Sequence, residues 1–311
     1  MELRPLGFGE IFDRAITLYV RNFRPFFAIV LVLIVPLAVV QYFIDSSQSV
    51  QLEAMIRVLQ HPDAKVPTPA LFGSPTEIVT LLLVAFVFYL LWPFALDAVA
   101  VGVARLYGNR PVEFSACYRT VLPRWGAILG TLLLQLGIFI AWYVAFFMIA
   151  FLSVLVAAVF ARAWLPLGIV GFTLAILIVL AALLILAPIF IALTFAMNAV
   201  VIERSGPLAA IASGFARVFT RKEFWRAVLF ALAAFAVLAG ASLVISVLVW
   251  VALLLHAIAV EVIVGSLLRA AFAPFSIVLI AVYYFDVRIR REGFDLEAEL
   301  EQLTPPAPSV S

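Results

Sequence analysis

Apolar residues run through this chain in blocks long enough to cross a bilayer, and the charged residues gather between them. Six blocks stand out: residues 26–44, 78–104, 126–161, 165–202, 227–255 and 262–285. A membrane-spanning helix needs about 20 such residues. The third and fourth blocks are far longer, so the pattern predicts tilted spans or outer turns that rise beyond the hydrocarbon. Arg162, Trp164 and Pro166 separate these two blocks, as expected of a tight turn at an interface. The predicted fold class is all-α: a polytopic membrane helix bundle of about six transmembrane helices.

Between the blocks, apolar positions recur at helical spacing. In the first segment Phe8, Ile11, Phe12, Ala15, Ile16, Tyr19 and Phe23 share one face, with Asp13, Arg14, Thr17, Arg21 and Arg24 elsewhere. Before the fifth block Leu208, Ile211, Phe215, Val218 and Phe219 oppose Ser213, Arg217, Arg221 and Lys222. Ser205 and Pro207 read as its N-cap and first-turn proline. A similar stretch, VEFSACYRTVLPRW, precedes the third block. Such helices suit the headgroup layer.

The same arrangement recurs three times. Phe26, Trp125 and Trp225 each lead into an outgoing block. Pro93, Pro188 and Pro274 sit within the returning blocks, each followed by a charge at Arg105, Glu203 or Arg288. This spacing predicts three units of an interfacial helix and a helical hairpin, over about 8–108, 109–205 and 206–293. Residues 1–293 then form the transmembrane domain, and residues 294–311 an acidic, partly disordered tail. The outer segment 45–77 is expected to hold a short helix around Leu52, Met55, Ile56 and Leu59, then an extended proline-rich stretch.

Composition sharpens this picture. Apolar residues make up 66% of the 311 and charged residues 12%, where soluble domains sit nearer half and a quarter. A net charge of +2 supplies no field for nucleic acid. The placement of charge carries more information. Sixteen of the 20 Lys and Arg fall at the N-terminus or after the second, fourth and sixth blocks. They are Arg4, Arg14, Arg21 and Arg24; Arg105, Arg110, Arg119 and Arg124; Arg204, Arg217, Arg221, Lys222 and Arg226; and Arg288, Arg290 and Arg291. The positive-inside rule then puts both termini in the cytoplasm. The first block is longer than a signal-peptide core and no A-x-A site follows it, so it reads as a retained helix.

Candidate chemistry is sparse. One cysteine, Cys117, excludes an internal disulfide, and His61 and His256 lie too far apart for an HExxH pair. Neither phosphate-binding nor nucleophile-elbow motifs occur, so the sequence predicts no catalytic residue, metal or cofactor. Three polar residues within the blocks form a candidate intramembrane site: Asp97, Asn198 and Arg269. A protonated Asp97, or a water it holds, is expected to satisfy backbone freed by the Pro93 kink, at the carbonyl of Tyr89. Arg269 is expected to snorkel to the outer interface. Nine cations at the interfacial helices are candidate anionic-lipid contacts: Arg14, Arg21, Arg24, Arg119, Arg124, Arg217, Arg221, Lys222 and Arg226.

The phrases LRPLGFGEIFDRAITLYVRNFRPF, VIERSGPLAAIASGFARVF and YYFDVRIRREGFDLE resemble the bacterial glycerophosphoryl diester phosphodiesterase membrane domain family and related integral membrane proteins. The resemblance runs over essentially the whole chain and implies a multi-pass protein of the bacterial inner membrane. It implies no phosphodiesterase activity here, because the catalytic barrel of fused relatives takes about 250 further residues. The expected function is non-catalytic: organising or binding lipid, a protein partner or a second copy of the chain at the cytoplasmic face. The alternative is a small transporter using the proline-broken spans and Asp97.

Overall fold

The computed structural model describes residues 4–60, 75–254 and 258–292. Among these it is helical, without strands. The helices are α1 (Phe8–Arg21), α2 (Phe23–Gln60), α3 (Pro75–Tyr107), α4 (Phe114–Val121), α5 (Trp125–Ala163), α6 (Leu165–Ile202), α7 (Pro207–Val218), α8 (Arg221–Leu254) and α9 (Ile258–Glu292). Six of them (α2, α3, α5, α6, α8 and α9) are long and apolar enough to cross a membrane. The chain is a multi-pass membrane protein. Helices are the element such a chain requires, because lipid offers no partner for an open backbone.

The expected short helix in 45–77 is not a separate element. Helix α2 continues without a break to Gln60. The remaining expected loop (61–74), His61, His256 and the acidic tail lie outside the described residues.

The three short helices form where the amphipathic pattern placed them, and local chemistry fixes their ends. Glu10 accepts the Gly7 N–H at 2.7 Å and Arg4 at 2.7 Å, closing the start of α1. Asn22 ends α1, its side-chain amide donating to the Leu18 carbonyl. Helix α7 begins with Gly206 as N-cap and Pro207 in the first turn. The predicted cap, Ser205, sits one residue too early. Two residues past the end of α6, Arg204 takes a left-handed φ of 55°. That conformation favours glycine, and here it turns the chain sharply into α7. Arg124 holds the turn from across the bundle, donating to the carbonyls of Val200 and Arg204.

Each short helix packs on a returning span. Helix α4 lies on α3, α7 on α6, and α1 on α9. The outgoing spans make the same choice: α2 lies on α9 and α8 on α6, as well as on their own hairpin partners. The returning spans α3, α6 and α9 touch one another at the centre, with Pro93, Pro188 and Pro274 all buried. The faces of the short helices are narrower than periodicity predicts. Ile11, Ala15 and Leu18 form the buried side of α1, while Phe8 and Ile16 are exposed.

Helix α7 sits close enough for backbone contact. A Cβ on Gly214 would lie 2.2 Å from the Ala192 carbonyl oxygen and 3.1 Å from the Ala196 nitrogen. Helices α5 and α6 form the longest hairpin, closed by small residues where Gly168 and Gly171 meet Ala161 and Ala157.

Candidate functional site

Helix α9 ends in a buried polar layer. Residues 281–288 are all buried, and they include Tyr283, Tyr284, Asp286 and Arg288. The helical repeat sends these groups to two sides. Tyr284 and Arg288, four apart, face one cluster. Tyr283, Asp286 and Arg290, at three- and four-residue spacing, face another.

The first cluster is built around Glu203, the residue that caps α6. Arg217 of α7 pairs with it at 2.7 Å, Arg288 stands 3.7 Å away, and the Tyr284 hydroxyl donates to it. Both guanidinium groups also lie over the Tyr284 ring, at 5.4 and 5.8 Å. Burial pushes the Glu203 carboxyl up, but the Arg217 hydrogen bond and charge, helped by Tyr284 and Arg288, hold it below the usual range. The sign follows. A depressed carboxylate stabilises the fold above its unfolded pKa, and the stability is lost as pH falls through the folded value. Wild type should therefore lose thermal stability on acidification below about pH 4.5, and Glu203→Gln should be less stable at neutral pH with a flatter acid limb. Parallel acid limbs in a thermal-shift series would exclude this role.

The second cluster centres on Asp286, whose side chain is fully buried. It accepts the Leu6 backbone N–H at 2.6 Å, Arg226 of α8 at 2.5 Å and Arg290 at 3.0 Å. Arg226 and Arg290 both donate in turn to the Leu6 carbonyl. Glu223 stands 3.6 Å from Arg226, an ion-pair distance. Arg226 also covers the Tyr283 ring at 5.6 Å. One carboxylate thus ties the N-terminal segment, α8 and α9 together.

These clusters divide the nine candidate cations. Arg217 and Arg226 are held internally by Glu203 and Asp286, which corrects the expectation that Arg217 lies on the solvated side of α7. Their carboxylate partners come from other helices, so periodicity within one helix does not reveal them. Arg124 caps α6, and Arg14 is half-buried. The other five, Arg21, Arg24, Arg119, Arg221 and Lys222, are exposed at the junctions between short helices and spans. None of the five has an ion-pair partner among the described residues. Trp125 and Trp225, at the start of α5 and near the start of α8, are 61% and 59% exposed beside them.

The three intramembrane candidates do not converge. Asp97 is buried on α3 and Asn198 on α6, while Arg269 is exposed on α9. No hydrogen bond or ion pair links them. The Asp97 Oδ2 has no hydrogen-bond partner, and a direct contact with the Tyr89 carbonyl is ruled out by distance. Eight residues at 1.5 Å each put that carbonyl about 12 Å along the helix, beyond an aspartate's reach. Asp286, a second buried carboxylate, escaped the sequence reading because it lies one residue past the apolar block. Its signal was the YYFDVRIRR phrase, in which an acid sits among arginines at helical spacing.

Among the described residues no group of three or more histidine, cysteine or acidic side chains is placed to hold a metal ion. No family model matches the chain, and no curated protein or solved structure matches it.

Proposed function

We propose that this is a non-catalytic protein of the bacterial inner membrane that binds anionic lipid at its cytoplasmic face, with both termini on that side. The observation that carries the reading is the set of five exposed cations. Arg21, Arg24, Arg119, Arg221 and Lys222 lie at one end of the bundle, without ion-pair partners among the described residues and with two exposed tryptophans beside them. Internal carboxylates engage the neighbouring Arg217 and Arg226 but leave these five to the surroundings. Each such cation contributes roughly 1 kcal/mol at an anionic surface, decaying within a Debye length. Tryptophan rings favour the same depth.

The cyclic packing of α1 on α9, α4 on α3 and α7 on α6 supports three repeated units, and hence three related lipid-facing corners. The phrases that resemble the glycerophosphoryl diester phosphodiesterase membrane domain family favour membership of that group.

The full chain, extracted from phosphatidylglycerol or phosphatidylcholine vesicles and weighed by native mass spectrometry, tests the proposal. Retained phosphatidylglycerol should exceed phosphatidylcholine at low salt, and the excess should vanish when the five cations are changed to glutamine. Equal retention of the two lipids at low salt would leave the cations as topology signals only.

A further inference from the structure

A second polar feature lies at the opposite end of the spans. Ser242, Ile245, Ser246 and Trp250 of α8, with Arg269 of α9, line a groove of about 170 Å³. Residues 242, 246 and 250 recur every four positions, so they form one stripe along α8. Arg269 has no hydrogen-bond or ion-pair partner among the described residues. The lining residues thus carry a guanidinium, two hydroxyls and an indole N–H, with no carboxylate among them. That is a donor set for an oxyanion.

The Arg226–Asp286 ion pair fixes the relative register of α8 and α9. Seventeen residues beyond Arg226 is position 243, and seventeen before Asp286 is Arg269. The two helices run antiparallel, so Arg269 is level with Ser242 and near Ser246. The same count puts Arg269 about 25 Å along the helix from that ion pair. The hydrocarbon core is about 30 Å thick. If the ion pair marks one boundary, the guanidinium is within snorkelling reach of the other. A charged arginine at that depth needs an anion from its surroundings, and lipid phosphates lie at the far boundary.

We propose that Arg269, Ser242 and Ser246 bind the phosphodiester headgroup of one anionic lipid in the leaflet remote from the basic face, with Trp250 packing beside it. This site shares no residue with the five cations and stands without them. Free phosphate offers the same oxyanion, but it lacks the acyl chains that would lie against the exposed apolar sides of α8 and α9.

The test uses the full chain in nanodiscs of phosphatidylglycerol and phosphatidylcholine, read by native mass spectrometry. It is run in the wild type and in the variant with the five basic-face cations neutralised. In that variant a residual population of bound phosphatidylglycerol should persist. Arg269→Gln should lower it about tenfold, the loss expected for one charged hydrogen-bond donor. Because Ser246 is exposed, Ser246→Leu should fill the groove without disturbing the fold and give the same loss, and it decides the matter should Arg269→Gln not fold. Unchanged retention in the folded variants overturns the site. Displacement of the lipid by millimolar inorganic phosphate overturns the lipid assignment in favour of a small-anion site. Loss of all phosphatidylglycerol on neutralising the five cations alone also overturns it, whereas failure of the basic-face reading leaves this residual signal intact.

Discussion

Asp286→Ala is expected to destabilise the folded protein by about 3–5 kcal/mol, the usual cost of removing one partner from a buried ion pair. The effect is large because this carboxylate has three partners. Its loss leaves Arg290 without its carboxylate and Arg226 with only the more distant Glu223, and strips the Leu6 N–H of its acceptor. Asp286→Asn keeps an acceptor but not the charge, so it should fall between wild type and alanine. Thermal unfolding in detergent, followed by tryptophan fluorescence, ranks the three proteins. Limited proteolysis adds a local readout, because cleavage ahead of α1 should accelerate once Leu6 is released. An alanine variant with an unchanged midpoint and unchanged cleavage would show that the cluster holds nothing in place.

Gly214→Ala should cost about 1–3 kcal/mol, toward the upper end. The added Cβ meets the Ala192 carbonyl oxygen and the Ala196 nitrogen, and these are backbone atoms in the last third of α6. No side-chain rotation relieves the contact, so α7 must lift away. That movement also draws Arg217 from Glu203, joining a packing defect to an electrostatic one. Gly240→Ala is the control. Nothing lies within 4 Å of a Cβ there, and in mid-helix alanine is favoured over glycine by up to about 1 kcal/mol. Equal midpoints for the two variants would refute the close approach of α6 and α7.

The spans were legible because lipid imposes one rule on every residue of a crossing helix, and a run of apolar letters records it. The short helices were legible as well, since an amphipathic helix writes its period into its own sequence. Which face turns inward was less so. Phe8 and Ile16 fit the apolar period of α1 and remain exposed, whereas Leu18, outside the predicted stripe, is buried. In a bilayer both sides of a helix can be apolar, so the period marks lipid and core alike. The polar layer was hidden for a different reason. Arg217 reads as a solvated residue until Glu203 is brought to it from another helix, and Asp286 reads as the end of a span until Leu6, Arg226 and Arg290 surround it. Apart from Asp286 with Arg290, four residues along the same helix, those pairings are long-range, and spacing along one helix does not encode them.

The contact between Leu6 and Asp286 joins residues 280 positions apart, and it bears on how the protein is made. Helix α1 packs on α9, the last helix described. Translation proceeds at roughly 5–20 residues per second, so α1 leaves the ribosome tens of seconds before its partner exists. During that interval Ile11, Ala15 and Leu18 lack α9, the helix on which α1 mainly packs. The surface of the bilayer serves as the holding place, since a basic amphipathic helix rests there with its apolar side down. Closure then waits for the final helix to insert. Assembly of this bundle is thereby tied to completion of the chain, and a product cut short before α9 would leave its own first helix lying on the lipid.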